Sequence, residues 1–374
     1  MSSFSRIDRS IVGRWWWTVD RWNLLALLLL IAIGILLTLA AGPPAAERIN
    51  LPPFHFVQRQ FMMLPIALVL MFGVSLLSPR GVRRLSLILF VCGILATAAT
   101  LVVGQEIKGA QRWLSIGGFS IQPTEFLKPA FAVITAWLFA KAHKTPDFPG
   151  RTICMVLFAL TMALILAQPD LGMAAVVAVV WFGQFFLAGL PIVLVALLMA
   201  LAVAGFVGAY YGFDHVSSRI DRFLDPESGD TYQIDRSLAA FENGGLFGRG
   251  PGEGRIKDQL PDAHADFVFS VAGEEYGVLF CLLIVGLFAL VVLRGYGRVM
   301  HSPSLFILLA GAGLFTQYGM QALINMASAL KLMPTKGMTL PFISYGGSSL
   351  FAIAIGMGMA LALTRLWSDE GDTL

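Results

Sequence analysis

An all-α polytopic membrane protein of about ten transmembrane helices is the fold class this sequence predicts, from three observations: scarce charge, long apolar runs, and uneven Lys and Arg between alternate loops. Of the 374 residues, 57% are hydrophobic and only 13% charged, about half the charged share of a soluble domain. Mean hydropathy is +0.76. So long a chain cannot surround itself with polar surface using so few charges, which makes lipid its solvent. Crossing a ~30 Å hydrocarbon core takes roughly 20 helical residues. Apolar runs of that order lie at 23–41, 61–78, 85–103, 124–142, 152–168, 171–188, 190–212, 267–293, 304–328 and 347–367.

Residues 1–22 read as a cytoplasmic tail. Arg6, Arg9 and Arg14 before an apolar run imitate a secretory signal. The polar lead is long, however, and the run exceeds the ~7–15 residues of a signal's apolar region, so 23–41 reads as an uncleaved first span. Trp15, Trp16 and Trp17 read as an interfacial aromatic belt. Gly189 and its neighbours alone separate 171–188 from 190–212, a tight helical hairpin. The runs at 124–142 and 267–293 both open beside carboxylates. Residues 213–265 form one large extracytoplasmic loop, with ten of the chain's 23 acidic residues and six basic ones. Residues 23–367 make a single membrane domain, and 368–374 a cytoplasmic tail. With both termini inside, the cytoplasmic segments hold thirteen Lys and Arg and the short outer loops six, the bias expected of that orientation.

Net charge of +3 reports topology here and implies no nucleic-acid partner. Cys92, Cys154 and Cys281 lie within apolar runs and offer neither metal spacing nor a disulfide framework. Glycines 244, 245, 248, 250, 252 and 254 crowd one stretch. They lack the strand, helix and Gly-Lys-Ser/Thr ending of a phosphate loop, and point instead to tight turns or close backbone approach.

Ionisable residues at membrane depth are costly and therefore candidates for function. Glu125, Lys128, Asp170, Asp266, Glu274 and Glu275 fall on one side, with Arg112 and Lys336 in adjoining outer loops. Each also has a plain structural reading. Glu125 and Lys128, three apart, can neutralise each other. Asp170 follows Pro169 and precedes a helix, an N-cap position. One of Glu274 and Glu275 is expected to face the bundle and pair with a cation such as Lys128. Asp266 joins the polar loop to an apolar helix. Partial burial there makes a carboxylate a better base while leaving it open to water, yet the position equally suits an N-cap. His264 either holds and tunes Asp266 or is a solvated loop residue. Alternation of Asp262, His264 and Asp266 is weak as a metal pattern.

At these residues the chain resembles the SEDS proteins (shape, elongation, division and sporulation). The matching segments are 109–113, including Arg112; 122–129, with Gln122, Pro123, Glu125 and Lys128; 168–172, with Asp170; 232–254; 260–277; and 334–349. Pro334, Thr335, Lys336 and Gly337 are like the division branch rather than the rod-shape branch. Departures from the family pattern fall at 254–257, at 325–328 and at Lys331. The resemblance implies a glycosyltransferase that polymerises lipid II into peptidoglycan on the periplasmic face of the bacterial cytoplasmic membrane, at the septum. It also implies a cognate class B penicillin-binding protein for transpeptidation, and other divisome membrane proteins as partners. By position, Asp266 corresponds to the family's essential carboxylate.

Such a reaction displaces diphosphate at an anomeric carbon. The attacking hydroxyl needs a base, whereas the diphosphate leaves without a protein acid. One carboxylate therefore suffices, where glycoside hydrolases use two, and inversion is expected. Asp266 is the candidate base. Arg112 and Lys336, and Lys128 where Glu125 leaves it available, are candidate cations for the diphosphate. Glu125, Asp170 and His264 complete the expected substrate-binding set. The sequence identifies no cofactor; a divalent cation (Mg or Mn), with unknown ligands, is an optional addition. Two alternatives remain: a flippase for the same lipid-linked precursor, which favours midplane polar residues, repeats and broken helices, and a non-catalytic scaffold for the partner synthase.

Overall fold

The computed structural model describes residues 10–107, 110–116, 119–189, 192–212, 217, 221, 231–334 and 337–365. Each apolar run coincides with one helix. In chain order the helices are α1 (Ile11–Thr18), α2 (Arg21–Glu47), α3 (His55–Ser75), α4 (Pro79–Val103), α5 (Pro123–Lys144), α6 (Gly150–Ala167), α7 (Leu171–Leu187), α8 (Ile192–Gly212), α9 (Tyr232–Gly244), α10 (Val268–Met300), α11 (Leu305–Ala329) and α12 (Gly347–Leu363). Six of them, α2, α3, α4, α6, α10 and α11, are long and apolar enough to cross a membrane, and α7 and α12 are shorter apolar helices.

Local chemistry sets several of the boundaries. Asp20 Oδ1 accepts from Trp22 N at 3.1 Å and starts α2. Ser78 Oγ accepts from Gly81 N at 3.2 Å, with Pro79 at the first helical position of α4, the two residue types best suited to those places. Between α4 and α5 the chain forms a small antiparallel sheet: β1 (Gln105–Ile107), β2 (Ala110–Ile116) and β3 (Phe119–Ile121), in spatial order β1-β2-β3.

Helices α5, α11 and α12 fill the centre. α5 packs on α4, α11 and α12, and α12 lies along α3. Lipid tails are as apolar as Leu, so these contacts depend on close fit rather than on a hydrophobic drive between helices. Outward-facing residues such as Val69, Val102 and Leu293 are left exposed at 71%, 84% and 71%, a surface suited to hydrocarbon and not to water.

Several expectations need correction. The N-terminal tail contains the helix α1. Trp15 is not in an interfacial belt but buried, its indole Nε1 donating to Ser75 Oγ at 2.9 Å. The large outer loop contains α9, while most of its 213–230 portion lies outside the described residues. Buried charge also occurs at both ends of the bundle. Asp20, fully buried, accepts from Arg294 Nε at 2.8 Å and lies 3.3 Å from Arg298 Nε. A capping aspartate at a helix start gave no sign that two arginines some 270 residues later would close over it.

α10 is not one continuous helix. Gly277 breaks it at φ 80° and ψ 178°. A break at membrane depth frees backbone groups that lipid cannot satisfy, and the glycine-rich segment supplies their partners. Val278 N donates to Gly245 O at 3.0 Å and Leu279 N to Leu246 O at 3.3 Å. In return Arg249 N donates to Glu274 O at 3.0 Å and Gly250 N to Glu275 O at 2.9 Å. This splice explains the glycines. A Cβ on Gly248, which has φ 82°, would lie 2.1 Å from Glu275 O.

Candidate active site

Asp266 ends a compact turn. Backbone N–H groups of Ala265 and Asp266 donate to Asp262 O, both at 3.0 Å, and α10 begins immediately after. The N-cap position of α10 falls on Phe267 and not on Asp266, so the capping alternative is not the one the fold uses. Asp266 is half-buried. Its Oδ2 faces the backbone of Gly337, where a Cβ would lie only 3.5 Å away, and Gly337 takes φ 61°. The loop carrying 337–346 therefore runs directly over the carboxylate.

α11 holds that loop against the turn. Asn325 Nδ2 donates to Asp266 O at 2.9 Å and to Met338 O at 2.6 Å, joining the two strands of chain through one amide. One turn earlier, Gln321 Nε2 donates to Thr339 O and Thr339 Oγ1, both at 3.2 Å. Its Oε1 accepts from Lys128 Nζ at 2.9 Å. Thr339 and Ser349 share a hydrogen bond of 2.6 Å. Further fastening comes from Ser344, whose Oγ donates to Ala265 O at 2.5 Å, and from Tyr345 N, which donates to His264 O at 2.9 Å.

Lys128 and Glu125 form the expected internal pair. Their charged atoms stand 3.0 Å apart, off hydrogen-bonding alignment, and Lys128 is 3% exposed. Through Gln321 the pair connects to the loop beside Asp266. Arg112 and Asp170 build a separate clamp. Arg112 Nε donates to Gln168 O at 2.9 Å and Nη2 to Pro169 O at 2.6 Å, while Nη1 lies 3.2 Å from Asp170 Oδ2. Asp170 Oδ1 meanwhile caps α7 by accepting from Met173 N at 3.1 Å. The clamp ties the β2 strand to the α6–α7 corner. Lys336 lies outside the described residues.

His264 is neither solvated nor bonded to Asp266 through its ring. It stacks on Phe56, with ring centroids 4.0 Å apart and 23° between planes, and has Tyr345 at 5.5 Å. Burial lowers its pKa to about 4, against the opposing pull of Asp262. Its ring is thus neutral at ordinary pH and works as an aromatic brace under the Asp266 turn.

The two glutamates of α10 pair differently from the expectation, with Lys257 in place of Lys128. Glu275 bonds the ammonium of Lys257. Glu274 accepts from the backbone of Arg255 and Ile256, both at 2.8 Å, of Lys257 at 2.9 Å, and from Asn243 Nδ2 at 2.8 Å. Three of these four donors pin the 255–257 segment, and the fourth pins α9, to the half-helix that Asp266 leads into. Beside it lies a groove of about 720 Å³, with Leu36, Leu39, Pro43 and Pro44 of α2 as its apolar wall and a polar lining of mixed charge, Arg48 and Lys257 with Glu47, Asp258 and Glu275.

Asp262, His264 and Asp266 do not converge as a set of metal donors. Among the described residues no group of three or more His, Cys, Asp or Glu could hold a metal ion. The site members that sequence reasoning missed are Asn325, Gln321, Thr339, Ser349 and Lys257. Asn325 and Lys257 left a signal as departures from the family pattern, and Thr339 and Ser349 lie within the matching 334–349 segment, whereas Gln321 left none.

Comparison with known proteins shows the family. A family model described as cell cycle protein, FtsW/RodA/SpoVE, matches residues 21–367. A Caulobacter vibrioides (strain NA1000 / CB15N) protein named probable peptidoglycan glycosyltransferase FtsW is 46% identical over 364 residues, covering 97% of this chain and 93% of that one. A solved chain from a study of structural coordination of polymerization and crosslinking by a peptidoglycan synthase complex superposes with TM-score 0.76 at 29% identity, over 92% of this chain and 97% of the other. The Thermus thermophilus rod shape determining protein RodA superposes with TM-score 0.66 at 28% identity, over 93% and 97%.

Proposed function

The chain belongs to the FtsW/RodA/SpoVE family of cell cycle proteins, and from that premise we propose that it is a division peptidoglycan glycosyltransferase which polymerises lipid II, with Asp266 as general base. One observation carries the assignment of Asp266: it is a half-buried carboxylate at the mouth of the bundle, held by its backbone to Asn325 and overlain by Gly337. A positioned base of this kind contributes roughly 10²- to 10⁴-fold to rate.

Asp266 takes the proton of the attacking sugar hydroxyl as its oxygen bonds the anomeric carbon from the face opposite the diphosphate. The bond from that carbon to the diphosphate oxygen breaks, and the electron pair leaves on the diphosphate. Configuration inverts. Lys336, next to Gly337, is the cation assigned to the departing charge. Arg112 is committed to Gln168, Pro169 and Asp170 and acts by shaping the outer wall. Lys128 and Glu125 act through Gln321 on the loop over Asp266, and His264 braces the turn from below. Mg or Mn, where it takes part, enters with the diphosphate, as hard dications bind through substrate phosphates and one or two carboxylates. No step here runs through it. The groove beside α2 supports a lipid-borne substrate, since its apolar wall continues into the lipid-facing surface at Leu36 and Leu39.

In this reading residues 23–367 are a single ten-span domain of the cytoplasmic membrane at the septum, with both termini inside, the 213–265 loop and active face periplasmic, and lipid II delivered laterally. A class B penicillin-binding protein is the partner that crosslinks the product. The superposition on a chain from a peptidoglycan synthase complex supports that pairing. The test is polymer formation by the full chain purified with that partner, given lipid II while transpeptidation is blocked. Glycan polymer is expected; its absence contradicts the assignment.

A further inference from the structure

At the end of the bundle opposite Asp266, a second cavity of about 540 Å³ opens between α4, the end of α5 and the start of α11. Arg83, Lys141 and Lys144 line it, together with Trp137, Ala140, Thr145, Ser304 and Phe306. Three cations and no carboxylate face the space. None of the three makes an ion pair within 4.0 Å among the described residues. Their placement is set by an aromatic frame. Trp137, Lys141 and Lys144 stand at i, i+4 and i+7 and so share one face of α5. The Arg83 guanidinium lies 5.3 Å from the Trp137 ring centroid and Lys141 Nζ 5.7 Å, with Nζ also 4.2 Å from that of Phe148. Ser304 begins α11 without making a side-chain cap bond, so first-turn N–H groups add a second source of positive potential on the same wall.

We propose that this cavity binds the phosphate headgroup of an anionic phospholipid from the cytoplasmic leaflet. Basic pockets between transmembrane helices on that side suit such headgroups. The apolar parts of the lining, Trp137, Ala140 and Phe306, fit the glycerol and first acyl carbons. A soluble anion would use the cations but not those walls. The site is remote from Asp266, and its occupancy steadies the inner ends of α4, α5 and α11, two of which carry Lys128 and Asn325 at their other ends.

Native mass spectrometry of the full chain in detergent, titrated with phosphatidylglycerol, phosphatidylcholine or inorganic phosphate, tests this. Wild type is expected to retain phosphatidylglycerol over phosphatidylcholine, and the preference to fall as salt is raised. Arg83→Gln with Lys141→Gln should weaken phosphatidylglycerol binding about 30-fold, from about 1 kcal/mol per cation near an anionic lipid. Lys141→Arg, which keeps the charge, should retain binding. The control pair Arg84→Gln with Arg151→Gln, which removes equal charge outside the cavity, should also retain it. Equal retention of both lipids by wild type, binding indifferent to salt, equal loss in the control pair, or displacement by phosphate at the concentration of the lipid would each overturn the proposal.

Discussion

Asn325 and His264 carry the Asp266 turn from two sides, and neither touches a reacting atom. Asn325 replaces two unpaired carbonyls with two hydrogen bonds. Asn325→Ala should lower stability by about 1–3 kcal/mol, the cost of leaving buried acceptors unmet. Polymerisation should fall further than stability predicts, which thermal unfolding and polymer yield measured together will separate. His264 supplies a pH dependence. Its folded pKa of about 4 lies below the ordinary value near 6.5, so between those values the unfolded chain binds the extra proton. Its contribution is then complete above pH 6.5 and lost as pH falls through about 4. The melting temperature should therefore drop on acidification across that window, and His264→Phe, which keeps the stack without the proton, should drop less. Asp266 was legible as a carboxylate where a polar loop meets an apolar helix. Asn325 was not, since an amide in an apolar helix identifies no partner until the 337–338 loop is brought over it.

Helix α10 shows what an element can hide. Its sequence reads as one apolar run, and only Gly277 among ordinary residues marks the break. The partners that make the break tolerable come from glycines some 30 residues earlier, whose crowding was legible but whose purpose depended on tertiary approach. Gly248→Val should destabilise the chain strongly, because a side chain there would meet Glu275 O and strain a positive φ. Expression and thermal unfolding give the readout. The splice also bears on transport, since both broken ends are occupied by the chain's own backbone rather than offered to a passing ligand. In α5 the pair at Glu125 and Lys128 was legible from spacing alone. Lys128→Met should cost about 3–5 kcal/mol by stranding a buried charge, while adding Glu125→Gln should recover much of it. A double-mutant cycle on melting temperature checks this. The partner of Glu275 was not legible, because nothing local distinguishes Lys257 from Lys128.

For the whole molecule, the expected class held, and each of the ten apolar runs lies on a helix, six of them long and apolar enough to cross a membrane. Polar placement did not follow as simply. Asp20, Arg294 and Arg298 bury a charged knot at the end opposite Asp266, joining the start of α2 to the end of α10, the helix that Asp266 precedes. The charges thus fasten both ends of the bundle, while Asp266 at the other end is a half-buried carboxylate under the loop at Gly337. The proposal at that end is that Asp266 removes the proton in glycan polymerisation. The most direct measurement compares polymer yield from lipid II by wild type and Asp266→Asn, each purified with the partner synthase and matched for melting temperature and lipid II retention. A fall of about 10²-fold or more is expected from loss of a general base; polymerisation within a few-fold of wild type would contradict it.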